Sequence, residues 1–146
     1  MSQLGSPDVV VYVCANCQPS PGWLPRQWTH DGLRVAVREV PCSGKVDGQY
    51  LLHAFEGKAR GLCVVACPVG ECQLAEGNYR AEVRVRTVRR LLAEVGIQPE
   101  RLELLHADRG ESAQGFEERV RQAAARIAAL GPSPIAAGRE EVALRP

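Results

Sequence analysis

The sequence predicts an α/β protein in three layers, with a four-stranded, mostly parallel sheet of the flavodoxin-like or Rossmann-like type. Four short apolar runs have the composition of strands, and helical patterns alternate with them along the chain. Such alternation is typical of a parallel sheet covered by helices on both faces. With 146 residues, the chain can bury a proper core. We predict a single domain over residues 1–131 and a flexible tail over residues 132–146.

The predicted strands are runs of β-branched and other apolar residues. Asp8–Val13 is a continuous β-branched run, which is typical of a strand buried on both faces. The next strands are Arg34–Val40 and Gly61–Cys67, and the run RLELLHA is the fourth. Residues 18–33 contain three prolines, two glycines and both tryptophans. This composition predicts a loop with at most a short helix near Leu24–His30.

Three helices follow from apolar periodicity. The segment VDGQYLLHAFEGKA predicts a short helix with Leu51, Leu52 and Phe55 facing inward. A long helix is predicted from about Glu76 to Val95 and a final one over about Gln114–Leu130, each with one apolar stripe. The stripes are Ala81, Val85, Val88, Leu92 and Val95 in the long helix, and Phe116, Val120, Ala124 and Ile127 in the final one.

Charge and composition exclude several classes of protein. A formal net charge of +1 is not that of a general nucleic-acid-binding protein. The N-terminus lacks the features of a signal peptide, and no apolar run is long enough to span a bilayer. We therefore expect a cytoplasmic protein without membrane insertion, in which thiols stay reduced. Six cysteines in such a protein favour metal or redox chemistry over structural disulfides.

Five of the six cysteines are predicted to lie at one edge of the sheet. Cys14, Cys42 and Cys67 stand at or just after the ends of the first three strands, while Cys17 and Cys72 lie in the loops after the first and third. In α/β sheets, ligands bind outside the carboxyl ends of the strands, near the point where the strand order reverses. This placement predicts a thiolate site at that edge.

The residues alone leave the nature of the site open. CANC, at Cys14–Cys17, has a spacing that suits zinc, a redox dithiol or an iron–sulfur cluster. CPVGEC, at Cys67–Cys72, has a spacing found in plant-type ferredoxins. Four cysteines would also serve a structural zinc site. A thioredoxin-like role for CANC is disfavoured, because the following QPSPGW cannot continue as a helix.

The remaining cysteine and the histidines are predicted to be structural. Cys63 and Cys67 are four positions apart in one strand, so their α-carbons would be about 13 Å apart, too far to bind one cluster together. Cys63 is therefore expected to fill the core. His30, His53 and His106 are isolated in the sequence, and each is interpreted as a solvated or packed side chain.

Arginines crowd one side of the predicted long helix. Glu82 precedes one of them by four positions, and such a pair can form locally, but there are too few acids to match the others. A solvated helix face is one explanation. Docking of an acidic surface of a redox partner is the other. The residues concerned are Arg80, Arg84, Arg86, Arg89 and Arg90.

Three segments carry a resemblance to a known family. They are CANC, PCSGKVDGQYLLHAFEGKARGLCVVAC and GECQLAEGNYRAEVRVRTVRRLLAEVGI. Over about Val10–Gly131 the chain resembles the delta, iron–sulfur subunits of methyl-viologen-reducing hydrogenases, which are linked to heterodisulfide reductase. The chain departs from the family pattern at PVGE, which replaces His-Pro-Gly-Asp, and at QL, which replaces His-Tyr.

The resemblance implies a non-catalytic electron carrier with an iron–sulfur cluster of the [2Fe–2S] type, although four thiolates can also hold a four-iron cluster. It would relay electrons between a hydrogenase or other donor and a heterodisulfide-reductase-like flavin subunit. Cys42, Cys67 and Cys72 are three of the expected metal ligands, and Cys14 and Cys17 compete for the fourth place. The alternatives are a zinc-binding interaction module and a thiol oxidoreductase.

Overall fold

The structure, a computed structural model, describes residues 7–20, 22–41, 48–55, 59–67, 77–108 and 110–134. Within these ranges the chain forms five strands and three α-helices. The strands are β1 (Val9–Cys14), β2 (Gln27–His30), β3 (Leu33–Val40), β4 (Gly61–Ala66) and β5 (Leu102–His106). The helices are α1 (Gly48–Ala54), α2 (Gly77–Glu94) and α3 (Ala113–Ala128). The predicted α/β class is confirmed.

The five described strands form one sheet in the order β2-β3-β1-β4-β5. β1 is parallel to both β3 and β4, and β4 is parallel to β5, whereas β2 is antiparallel to β3. The four parallel strands follow the flavodoxin-like order, in which the chain moves first to one side of β1 and then to the other. The boundary between β1 and β4 is therefore the topological switch point of the sheet.

Both faces of the sheet are covered, which explains why β1 and β4 are apolar along their whole length. All six residues of each of these strands are buried. Val9, Val11 and Cys63 pack into a cluster with the apolar stripe of α3 on one face. Val10 and Tyr12 pack with α1 and α2 on the other. This arrangement gives the three layers that the sequence predicts.

β2 is the main departure from the predicted fold. The sequence predicted a loop with at most a short helix near Leu24–His30 and a sheet of four strands, and both predictions are wrong, because β2 is a fifth strand. Asp31 and Gly32 join β2 to β3 with positive φ angles of 49° and 78°, as a type I′ hairpin requires. Trp28 of β2 packs against the core beneath α3. The Asp-Gly pair is a strong hairpin signal, and it marks this turn in the sequence.

The helices agree with their predicted stripes except at one position. The first four positions of the α2 stripe and all four of the α3 stripe are buried. Val95 is 71% exposed, because it lies beyond the end of α2. Glu76, the predicted start of α2, lies outside the described residues. No helix in the described ranges is both long and apolar enough to cross a bilayer.

At the amino edge of the sheet, a buried arginine ties β5 to the chain that follows α3. Arg101 is 2% exposed, and its guanidinium donates hydrogen bonds to the carbonyl oxygens of Arg60, Leu130, Gly131 and Pro132 at 2.7 to 3.2 Å. Three of these carbonyl groups belong to the chain directly after α3, which ends at Ala128, and the dipole of the helix favours a cation near this end. Arg101 therefore links the start of β5 to the chain after α3 through these hydrogen bonds.

The predicted tail begins close to this point. Ser133 is fully buried, so the described chain stays attached to the domain up to that residue. Residues 135–146 lie outside the described residues. The flexible tail and the domain limit at residue 131 therefore stay predictions.

We predict that Arg101→Met lowers the free energy of unfolding by about 3 kcal/mol, because it leaves four partly buried carbonyl oxygens without this donor. Urea titration followed by circular dichroism measures the loss. Arg38→Met is the matched control, since Arg38 is exposed and its removal should cost less than about 0.5 kcal/mol. Equal losses in the two variants would contradict the role assigned to Arg101.

Candidate metal centre

The main group of reactive side chains lies at the carboxyl edge of the sheet, at the switch point. Cys14 is the last residue of β1, and Cys67 directly follows β4. Because these two strands are parallel neighbours, both cysteines leave the sheet at the same edge. Their Sγ atoms are 3.7 Å apart, although the two residues are 53 positions apart in sequence. Both residues are buried, with exposed fractions of 1% and 4%.

The distance between these two sulfur atoms suits a shared metal ion. Two thiolates bound to one tetrahedral metal by bonds of about 2.3 Å would lie about 3.8 Å apart. A disulfide would bring the sulfurs to about 2.05 Å, and neither Cys14 nor Cys67 forms one. Thiolates are the donors that zinc and iron–sulfur clusters prefer. The residues present therefore fit a metal–thiolate group.

Cys17 brings a third thiol to the same place. It ends the 3-10 turn Ala15–Cys17. Its Sγ has one hydrogen to donate, and the carbonyl oxygens of Cys14 at 3.1 Å and Val65 at 3.7 Å are the acceptors within reach. A hydrogen bond with the Cys14 side chain, burial and the nearness of Cys14 and Cys67 raise the pKa of Cys17 far above its usual value. Three thiols this close resist joint ionisation because their negative charges repel. A bound cation would remove that repulsion.

Two of the five predicted ligands, Cys42 and Cys72, lie outside the described residues. Cys42 follows Pro41, whose carbonyl oxygen is 3.9 Å from the Cys14 Sγ that donates to it. The chain that leads into Cys42 therefore passes next to Cys14. In the part of the chain that the structure describes, no three histidine, cysteine or acidic side chains are arranged to hold a metal ion. The described thiols are thus part of the predicted ligand set, and Cys17 is turned toward carbonyl oxygens.

Cys63 lies apart from the site, as the sequence predicted. It is fully buried in the middle of β4 and belongs to the core cluster beneath α3. Burial, followed by repulsion from Glu103, raises the pKa of the Cys63 thiol. Its role as a small apolar filler of the core is confirmed.

His106 is the residue at this edge that the sequence analysis missed. It ends β5, and its Nδ1 is 2.9 Å from the carbonyl oxygen of Cys67. Because a carbonyl oxygen only accepts, Nδ1 is the protonated nitrogen. Arg119 donates to the carbonyl oxygen of His106 and pairs with Glu111 and Asp108. Arg119 thus holds His106 in place, and His106 in turn holds the backbone carbonyl of Cys67. The missed signal was that His106 ends a parallel strand at the same edge as the cysteines.

A second polar group fixes the loop that follows Cys17. The Nε2 of Gln18 donates to Glu39 Oε2 at 2.6 Å, and its Oε1 accepts from the backbone N–H of Leu24 at 3.2 Å. Glu39 also accepts from the backbone N–H of Gly22. These bonds anchor the loop on β3. No local pattern predicts the pair, because 21 positions separate its members.

The geometry does not suit a thioredoxin-like dithiol. A reactive Cys-x2-Cys motif has a cysteine of lowered pKa and opens a helix. Here the turn that holds Cys17 is three residues long, and Gln18 after it is extended. The chain around this motif therefore does not open a helix, and a thioredoxin-like dithiol is disfavoured.

Comparisons with known proteins agree on one family. A family model described as "Methyl-viologen-reducing hydrogenase, delta subunit" matches residues 9–131. An F420-non-reducing hydrogenase vhu iron-sulfur subunit of Methanocaldococcus jannaschii is 39% identical over 103 residues, which are 70% of this chain and 76% of that protein. An F420-non-reducing hydrogenase iron-sulfur subunit of Archaeoglobus profundus is 33% identical over 133 residues, 90% and 96% of the two chains.

A longer relative contains a segment similar to nearly the whole chain. It is one of the subunits of the ferredoxin:CoB-CoM heterodisulfide reductase of Methanosarcina mazei, and it is 27% identical over 145 residues. The similar segment covers 94% of this chain but only 18% of that protein.

We predict that the metal-free protein loses stability above about pH 9, in part through Cys63. The fold raises the pKa of Cys63, so at higher pH the unfolded chain releases a proton that the folded chain keeps. Stability therefore falls as pH rises, by about 1.4 kcal/mol per pH unit for one such group. Urea titrations at several pH values should show a shallower decline for Cys63→Val, because valine does not titrate. The same decline in both proteins would contradict the assigned shift.

Proposed function

Because the chain belongs to the delta-subunit family of methyl-viologen-reducing hydrogenases, we propose that it is an electron-transfer subunit that binds one iron–sulfur cluster. The approach of Cys14 and Cys67 to 3.7 Å at the switch point is the observation that carries this proposal. Relatives at 39% and 33% identity are named as iron–sulfur subunits of hydrogenases. Their names favour iron and sulfide over zinc at these thiols.

We propose Cys42, Cys67 and Cys72 as three of the ligands and Cys14 as the fourth. The sequence alone leaves Cys14 and Cys17 as alternatives for the fourth ligand. Cys14 is favoured because its Sγ lies 3.7 Å from that of Cys67, while the shortest contact given for the Cys17 Sγ is with the carbonyl oxygen of Cys14 at 3.1 Å. Cys17 then remains a protonated thiol beside the ligand set.

The chain itself holds the thiols in position, excludes water from them and supplies hydrogen bonds. Cys14 and Cys67 stand at the ends of two strands that are buried on both faces, so the fold holds their sulfur atoms in place. Burial of both side chains excludes water, and His106 fixes the carbonyl of Cys67. When bound, a [2Fe–2S] cluster supplies one-electron transfer at a potential set by its ligands, burial and hydrogen bonds. No substrate chemistry is required of the chain alone.

We propose that the electron partners are hydrogenase subunits and a heterodisulfide-reductase-like flavin subunit. The hydrogenase side is supported by the names of the Methanocaldococcus and Archaeoglobus relatives. The other side is supported by the Methanosarcina protein, a heterodisulfide reductase subunit in which one segment is similar to this chain. A domain that is fused to a protein in one organism can occur in another organism as a separate chain that docks on that protein. Neither nucleic acid nor membrane insertion is part of the proposed role.

We predict that protein reconstituted anaerobically with iron and sulfide is brown and holds about two irons and two sulfides per chain. Iron and sulfide analysis and the visible spectrum measure this. The thiols would equally suit a structural zinc site, so zinc is offered in competition. Colourless protein that takes up zinc and excludes iron would overturn the proposal in favour of a zinc-binding module.

Variants at the cysteines test which thiols hold the metal. We predict that Cys67→Ala, Cys72→Ala and Cys14→Ala each lose the cluster or disturb its spectrum, while Cys17→Ala retains the iron. Cys63→Ala is the matched control from the same strand, and it should keep full iron content at a cost of about 1 kcal/mol in stability. Iron loss in a folded Cys63→Ala variant, or normal iron in Cys67→Ala, would mean that the site is misplaced.

A further inference from the structure

A second surface, formed by α2, combines exposed apolar side chains with positive charge. In the described residues, the exposed large apolar side chains are Trp23, Tyr79, Val83, Leu91 and Val95. Four of these five lie on α2 or directly after it. The same helix carries five arginines against two glutamates, in a chain whose formal net charge is only +1. Exposed apolar side chains and positive charge are therefore both concentrated on α2.

The outer side of α2 carries a stripe that mirrors its buried stripe. The buried positions follow one another at steps of four, three and four residues, and the outer stripe repeats these steps two positions earlier. A shift of two positions turns a side chain by about 200° around a helix, so the two stripes face opposite directions. Tyr79 is 60% exposed and Val83 37% exposed. The outer stripe consists of Tyr79, Val83, Arg86 and Arg90.

A groove beside this stripe runs between α2 and β5. Its volume is about 390 Å³. Pro99 and Leu104 line one side, and the residues of α2 that line the other include Arg86, Arg89, Arg90 and the acidic Glu82. β5 is the outermost described strand of the sheet, so no further described strand covers it. We call the outer stripe and this groove together the α2–β5 surface.

Among the described residues, carboxylates neutralise little of the charge at Arg86, Arg89 and Arg90. Arg86 pairs with Glu82 at 3.5 Å, but the two side chains are 70% and 44% exposed, and ion pairs in contact with solvent contribute little. Arg89 donates to the carbonyl oxygen of Pro99, which is a neutral acceptor. Among the described residues, Arg90 has neither a hydrogen bond nor an ion pair. The arginine charge therefore remains available to a partner.

We propose that the α2–β5 surface docks an acidic protein surface that brings apolar side chains of its own, as an amphipathic helix rich in aspartate and glutamate does. Carboxylates would pair with Arg86 and Arg90, while apolar side chains would cover Val83 and Leu104. A second copy of the chain is disfavoured, because a two-fold interface through this stripe would bring its arginines together. A nucleic acid is disfavoured, because its phosphates would leave the apolar side chains uncovered.

This proposal rests on the proposed function for the identity of the partner, which would be a subunit of the hydrogenase or heterodisulfide-reductase-like assembly. α2 follows β4 in the chain and precedes β5. The outer stripe therefore runs from Tyr79, in the half of α2 that follows β4, to Arg90, which lines the groove together with Pro99 near the amino end of β5. The surface would thus select the partner, and the cysteine edge would exchange electrons with it.

The test uses the tagged full chain, isolated anaerobically from its own organism with the subunits that bind it. Arg86→Glu/Arg90→Glu should reduce the amount of co-isolated protein roughly tenfold or more, and raising the salt to about 0.5 M should release the partner from the wild-type chain. Arg26→Glu/Arg38→Glu is the matched control, because it makes the same change in net charge at exposed positions outside the surface. It should change the yield less than twofold.

Several outcomes would overturn the docking surface. They are equal partner yields in both double variants, no salt-sensitive protein bound to the wild-type chain, or a bound component that nuclease removes. Loss of a homodimer in the Arg86→Glu/Arg90→Glu variant would also overturn it, since the occupant would then be a second copy. Iron content equal to wild type in that variant shows that the fold and the metal centre are intact.

Mass spectrometry of the co-isolated protein keeps this proposal distinct from the proposed function. Hydrogenase or heterodisulfide reductase subunits that depend on Arg86 and Arg90 would support both. A charge-dependent protein partner of another kind would contradict the proposed function and still support the docking surface. The same subunits bound independently of these arginines would support the function and overturn the surface.

Discussion

The parallel pairing of β1 with β4 is the interaction on which the rest of the molecule depends. It puts the ends of two strands side by side at the point where the strand order reverses, and it brings Cys14 and Cys67 to within 3.7 Å across 53 positions of sequence. Both strands are buried on both faces, so the pairing is held by helices on either side. The candidate centre is therefore a consequence of sheet order, and the motif CANC alone would not create it.

Much of this arrangement is predictable from the sequence because it depends on strand ends. The apolar runs locate β1, β3 and β4, and the cysteines that follow them must then share an edge. β2 was missed because prolines and tryptophans around it suggested a loop, although the Asp31–Gly32 turn marks a hairpin. Contacts such as Gln18 with Glu39 and His106 with Cys67 join residues distant in sequence, so no local pattern reports them.

The domain divides its tasks among separate parts of one fold. The carboxyl edge gathers the thiols, while the amino edge is closed by the hydrogen bonds of Arg101. α2 serves both the core and the exterior, because its two stripes face opposite ways. A small electron carrier needs a buried site and a surface that selects partners. Because the site and the surface lie on different parts of the fold, a substitution in one need not alter the other. It also suits a domain that, in a relative, occurs within a longer heterodisulfide reductase protein.

The central claim is that one metal centre joins β1 to β4 across the switch point. An anaerobic crystal structure of the iron-loaded protein, with anomalous scattering measured at the iron edge, tests this most directly. The account predicts iron bound by Cys67 together with a cysteine of the first loop, Cys14 in preference to Cys17, with iron–sulfur bonds of about 2.3 Å. Iron bound without Cys67, or without any cysteine that follows β1, would contradict it.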